Sequence, residues 1–144
     1  MTSVVAALCE RGLERLGEHF AQVLDESEAS ADGSQFVQRL AEHVVGFFGD
    51  NPALVVLCLS GGSLDDHGRS IRAAVHELAA GVFANRAPHL ADDELHRLGV
   101  TSTTVMLSMV REGQRNGSLD GVAEEVARVM GGWIVAYMVS RVSD

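Results

Sequence analysis

Apolar side chains recur at three- and four-residue spacing along almost the whole chain, and this periodicity restricts the fold more than any other feature. It breaks at five places, each marked by glycine, by proline or by short polar residues. Leu13, Leu16, Phe20, Val23 and Leu24 form the first stripe, with Glu10, Glu14, Arg15, Glu18 and Gln22 off it. That spacing predicts a helix over 2–26, followed by a polar loop over 27–33. The second helix is expected over 34–48, with Phe36, Val37, Leu40, Ala41, Val44, Phe47 and Phe48 on its apolar face. Asp32 and Gln35 can frame its start as a capping box, and Gly49 stops it.

Asn51 followed by Pro52 suits an N-cap and first turn, so a short helix is expected over 52–59. Val55 to Leu59 read alone is strand-like. No second such run exists to pair with it, and an isolated strand has no stable partner. Gly61 and Gly62 are expected to end this element. The fourth helix is expected over 65–85, with Ile71, Ala74, Val75, Leu78, Val82 and Phe83 on one side. Ala87 to Leu90 form a turn. The fifth helix, over 92–112, opens on Asp92, Asp93 and Glu94, where the helix dipole favours negative charge. A loop over 113–118 turns at Asn116-Gly117, and the last helix is expected over 119–141. The expected fold class is all-α, with a single domain over 1–144, a length that supports one real core.

Charge limits the partners. The 144 residues carry a formal net charge of −9, and all 11 basic residues are scattered arginines. Phosphate backbones are held by clustered cations that release counterions, so no direct contact with nucleic acid is expected, nor with anionic lipid. Cys9 and Cys58 follow no metal or redox spacing and read as small buried hydrophobes, in keeping with a reducing cytoplasm. No basic region precedes an apolar core at the N-terminus, and Val129 to Val139 is too short to span a bilayer. The expected location is therefore cytoplasmic.

The last helix is apolar on two stripes. Val122, Val126, Val129, Trp133 and Tyr137 lie along one, and Ala123, Ala127, Met130, Ile134 and Met138 along the other. A surface helix needs one stripe, so a second partner is expected, most simply another copy of the chain. Gly131 and Gly132 each cost the helix about 1 kcal/mol relative to alanine, which suggests a close helix–helix approach. The fifth helix has Gly99, Ser102, Thr103 and Ser108 among Leu98, Val105, Met106, Met109 and Val110. Two helices from each protomer would form a four-helix bundle, with Val105, Met106, Met109, Val122, Val126, Val129, Trp133 and Tyr137 at the interface. The alternative is a compact monomer in which both helices are central.

Three segments carry a family resemblance: Phe47-Phe48-Gly49-Asp50-Asn51-Pro52-Ala53-Leu54, Pro88-His89-Leu90-Ala91-Asp92-Asp93-Glu94-Leu95, and Arg111 through Leu119. Together with the helix order, they resemble the C-terminal effector-binding and dimerisation domain of TetR-type transcriptional regulators. The likeness covers nearly the whole chain. It implies the sensing half of a bacterial homodimeric repressor that takes a small apolar or amphipathic effector and requires no cofactor. The first helix here matches that family's fourth, so the helix-turn-helix module is expected either to have been removed or to be missing from a stand-alone protein. The positions matching the family's pocket are Phe47, Phe48, Leu57, Val82, Phe83, Met106 and Met109, with His76 as the polar candidate. Ordinary core packing is the competing reading for each of them.

Two acidic and histidine clusters were weighed as metal sites: Asp65, Asp66 and His67 near His76, and His89, Asp92, Asp93 and His96. Both fall at helix starts where aspartate caps are expected anyway, so no metal is expected. Ser60-Gly61-Gly62-Ser63 lacks the lysine of a phosphate loop, and no nucleophile elbow, metalloprotease motif or catalytic carboxylate pair occurs. The chain is not expected to be an enzyme. The other reading kept open is a stand-alone helical dimerisation or interaction protein without DNA binding or ligand.

Overall fold

A computed structural model describes residues 4–28, 33–60 and 66–140. Among these the chain is all-helical: α1 Val4–Glu28, α2 Gly33–Gly49, α3 Pro52–Leu59, α4 Asp66–Arg86, α5 Asp92–Arg115 and α6 Val122–Ser140. All six helices contribute to one hydrophobic cluster. The strand-like run Val55 to Leu59 is helical, with Leu54, Val55 and Cys58 facing the core. Helices α4 and α5 form the most extensive pair, and α2 runs through the middle with α1, α3, α5 and α6 around it. No single described helix is long and apolar enough to cross a membrane. Helices α2 and α3 reach that hydropathy only jointly, across a bend of 105°.

The apolar stripes fall where the periodicity puts them. Leu16 and Phe20 of α1 are buried, as are Phe36, Val37, Leu40, Ala41, Val44, Phe47 and Phe48 of α2. The side chains of Val23 and Leu24 lie outside the described residues, as do Asp32, Gly61, Gly62 and Met138. The ends of α2 and α4 lie within one residue of expectation, and three boundaries among the described residues move by two or more. Ser27 and Glu28 extend α1, α5 runs on to Arg115, and α6 begins at Val122 instead of 119.

The extra turn of α5 has a local cause. Gly117 adopts φ +80°, and it sits just beyond the last helical residues. The Ser118 N–H donates to the Gly113 carbonyl at 3.0 Å and the Gly117 N–H to Gln114 at 3.2 Å. These two bonds close the helix in the Schellman pattern, which needs a left-handed residue at that position. Gly121, at φ +77°, turns the chain into α6. Leu119 between them is a packing residue: a Cβ on Gly49 would lie 2.5 Å from its Cδ1, and one on Gly113 2.9 Å from its Cδ2. The two glycines make the socket that pins the end of α2 to the end of α5.

Asn51 acts on the helix before it. It makes no side-chain bond to the start of α3. Its Nδ2 donates instead to the Phe47 carbonyl at 2.8 Å. Gln114 Nε2 donates to the Phe48 carbonyl at 3.3 Å. Both carbonyls also accept a backbone N–H, Phe47 from Asp50 at 3.2 Å and Phe48 from Asn51 at 3.1 Å, so the two amides occupy second lone pairs and tie the end of α2 to the turn and to α5.

Gly99 sets the approach of α4 and α5. A Cβ there would lie 3.0 Å from the Ala80 nitrogen and 3.1 Å from the His76 carbonyl, both rigid backbone atoms. Alanine would return up to about 1 kcal/mol of helix propensity. Overpacking against backbone costs about 1–3 kcal/mol and dominates. Gly99→Ala is therefore expected to lower the urea midpoint, and an unchanged or raised midpoint would show that the two helices separate easily.

Candidate functional site

Among the described residues a small, largely enclosed apolar cavity lies between α1, α2, α4 and α5. Phe20 comes from α1, Leu40, Val44 and Phe48 from α2, and Val75, Ala79, Val82 and Phe83 from α4. Helix α5 completes it with Ser102, Thr103, Met106 and Leu107. Each residue reaches the cavity because it lies on its helix's core stripe. The volume open to the centre of a water-sized sphere is about 20 Å³. That is room for about one water molecule. Ser102 and Thr103 are the polar residues of this otherwise apolar lining. Ser102 Oγ donates to the Leu98 carbonyl at 2.6 Å, so its oxygen faces further partners as an acceptor.

Phe48, Val82, Phe83 and Met106, expected at a pocket, line this cavity. Phe47 does not: it is buried with its ring 5.0 Å from Phe48 and 5.4 Å from His19. Leu57 and Met109 are half-buried at the edge of the core. His76 lies elsewhere, in a surface groove between α3, α4 and α5. The sequence named Phe20, Leu40, Val44 and Val75 only as core stripe residues. It assigned Ser102 and Thr103 to helix pairing, when both are buried within the chain. Only the packing angle of α4 on α5 distinguishes a cavity residue from its neighbour one turn away.

The residues expected at a subunit interface divide into three groups by exposure. Val126 is 0% exposed and Met106 2% exposed, so the chain's own helices already enclose both. Val122, Val105, Met109 and Tyr137 are half-buried. Val129 is 50% exposed and Trp133 39% exposed, unusual values for such side chains. The Trp133 and Tyr137 rings pack at a tilt of 46° with centroids 5.8 Å apart. Gly132 and Ala136 share this outward face. A Cβ on Gly132 would meet nothing within 4 Å, and one on Gly131 only Val37 at 3.8 Å. The glycine pair therefore serves no close helix contact inside the protomer. Helix α6 packs mainly on α2 and less on α5.

His76 titrates below the ordinary histidine value. Burial of the ring is the main cause, followed by the positive charges of Arg72 and His96. The unfolded chain consequently binds a proton that the folded one resists. The burial of neutral His76 costs no stability above the ordinary value of about 6.5, and stability falls as pH drops from there to the lower folded value. His76→Gln is expected to flatten the fall in urea midpoint between about pH 7.5 and about pH 5. An identical slope in both proteins would place the acid sensitivity elsewhere.

No group of three or more histidine, cysteine or acidic side chains among the described residues is placed to hold a metal ion. Asp65 and the side chain of His67 lie outside those residues. Comparison of the chain with protein-family models, with curated proteins and with solved structures gave no match.

Proposed function

We propose that this chain is the effector-sensing and dimerisation domain of a TetR-type transcriptional repressor. The enclosed cavity carries the reading. It lies between the helices where an effector would act, and its walls combine aromatic and methionine side chains with two hydroxyls. An effector larger than water has to displace Met106, Phe48 or Phe83, so binding is coupled to helix movement. The outward apolar face of α6, around Val129 and Trp133, supports the second half of the proposal, a homodimer formed with the outer side of α5 near Val105 and Met109. An effector that binds one dimer pose better than another would shift the spacing of attached DNA-reading heads. The reading involves no catalysis, no cofactor and no nucleic-acid contact by the domain itself, and it places the protein in the cytoplasm.

The small volume of the cavity favours a second reading, a helical dimerisation protein that takes no ligand. Thermal unfolding against a panel of small phenols, alcohols and ketones separates the two. A true effector raises the midpoint in proportion to its concentration over its dissociation constant. Ala79→Leu, which fills the cavity, is expected to abolish that rise while leaving dimerisation intact. A panel that stabilises neither protein, with the dimer retained, would leave the ligand-free reading standing.

A further inference from the structure

The charges on α4 are segregated. Arg69, Arg72, Ala73 and His76 fall at helical spacing on one face and line the groove toward α3 and α5. Glu77 faces the opposite groove, toward α1, with Glu10 and Glu14. Helix α5 adds His96, Val100 and Thr104 to the first groove, and α3 adds Cys58 and Leu59. The groove's volume is about 530 Å³, and no carboxylate among the described residues lines it. In a chain of net charge −9 this groove gathers two arginines, Arg69 and Arg72, with His76 and His96.

Arg72 gives one guanidinium nitrogen to the Ser60 carbonyl at 2.7 Å, which fixes the fork over the groove. No carboxylate among the described residues pairs with it. Asp66 pairs with Arg69, and both side chains lie more than half exposed at the rim. The Thr104 hydroxyl is donated to the Val100 carbonyl at 2.8 Å, so it leaves the donor role to arginine and histidine. Leu59, Ala73 and Val100 line the same groove as an apolar wall.

The geometry points to a binding site for a small organic oxyanion in the α3–α4–α5 groove. Its carboxylate or phosphate-ester head is held by the Arg72 fork with His76 and His96, and a short apolar tail rests on Leu59 and Val100. A planar fork matches either head bidentately. The site is separate from the enclosed cavity and does not depend on the regulator reading.

The test is an NMR titration of the histidine Cε1–H resonances with inorganic phosphate, butyl phosphate and hexanoate. Saturable shifts of His76 and His96, with His89 unmoved, are expected for at least one organic anion, and the His76 titration should move up when that anion is bound. Preference for hexanoate identifies a carboxylate ligand, and preference for butyl phosphate a phosphate ester. Arg72→Ala is expected to weaken binding about tenfold or more, because it removes a charge-assisted pair. Arg128→Ala removes the same charge on α6 and is expected to leave affinity unchanged. His96→Glu, at an exposed position, is expected to abolish binding without changing the circular dichroism. Non-saturating shifts shared by His89, or equal losses in Arg72→Ala and Arg128→Ala, would overturn the assignment.

Discussion

Phe83→Ala is expected to destabilise the domain by about 3–5 kcal/mol. Phe83 is 1% exposed and lines the enclosed cavity. Its ring stands edge-on to Phe36 with centroids 6.2 Å apart. The Arg86 guanidinium in turn sits 5.1 Å from the Phe36 ring centroid. Truncation removes the transfer free energy of a large aromatic, one aromatic pair and part of the cavity wall together. A domain of this kind has about 5–15 kcal/mol in total, so the loss is a large share. Urea unfolding with an unchanged slope would measure it. Phe83→Leu retains most of the volume and is expected to cost less. A loss below about 1 kcal/mol for the alanine variant would mean that the surrounding helices collapse into the space. That result would also weaken the case for a cavity able to hold its shape around an effector.

Trp133→Glu is expected to convert a dimer into a folded monomer. Trp133 and Val129 are the large apolar side chains on the open face of α6, and aromatic residues at the centre of an interface contribute most to its affinity. In a two-fold assembly every substitution enters twice, so glutamate on this face would require two added charges to be desolvated. Sedimentation at micromolar concentration should show the change in mass, with circular dichroism retained. Val126→Glu is the contrasting variant. Val126 is 0% exposed, and a charge at that position is expected to unfold the protomer without reporting on the interface. A wild-type monomer, or a Trp133→Glu dimer, would remove α6 from the assembly.

Helix number and class were legible because each helix repeats its apolar residues at the period its backbone imposes. Val55 to Leu59 shows the limit of that logic. Its residues favour a strand locally, and the absence of a pairing partner decided for helix. The roles of Asn51 and Gly113 were not legible. Asn51 beside Pro52 fits an N-cap by local rules, yet its amide reaches the previous helix because the Phe47 carbonyl lies within 2.8 Å. Gly113 looked like the end of a helix and is a socket for Leu119 inside one.

The candidate sites divide in the same way. Phe48, Val82, Phe83 and Met106 were named at a pocket and line the cavity. His76 was singled out for the same pocket and lies in the basic groove, because position 76 faces α3 and α5 while Val75 and Ala79 face inward. The sixth helix was recognisable as apolar on two stripes. Periodicity could not say which stripe α2 would cover. The contacts with α2 and α5 bury Val126, Met130 and Ile134 and leave Val129 and Trp133 outside.

Sequence alone determined an acidic, all-helical chain with six apolar-striped segments and no clustered cations along its length. The tertiary structure decided how those segments rotate about their axes. Rotation of a helix by one residue, about 100°, exchanges a core position for a surface one without altering the periodic pattern. Packing at Gly99 and Leu119 sets that rotation for α5, and with it both the cavity wall of Ser102 and Met106 and the groove wall of His96 and Val100. Arg72 and His96, 24 residues apart in sequence, line one groove only because α4 and α5 pack backbone to backbone at Gly99.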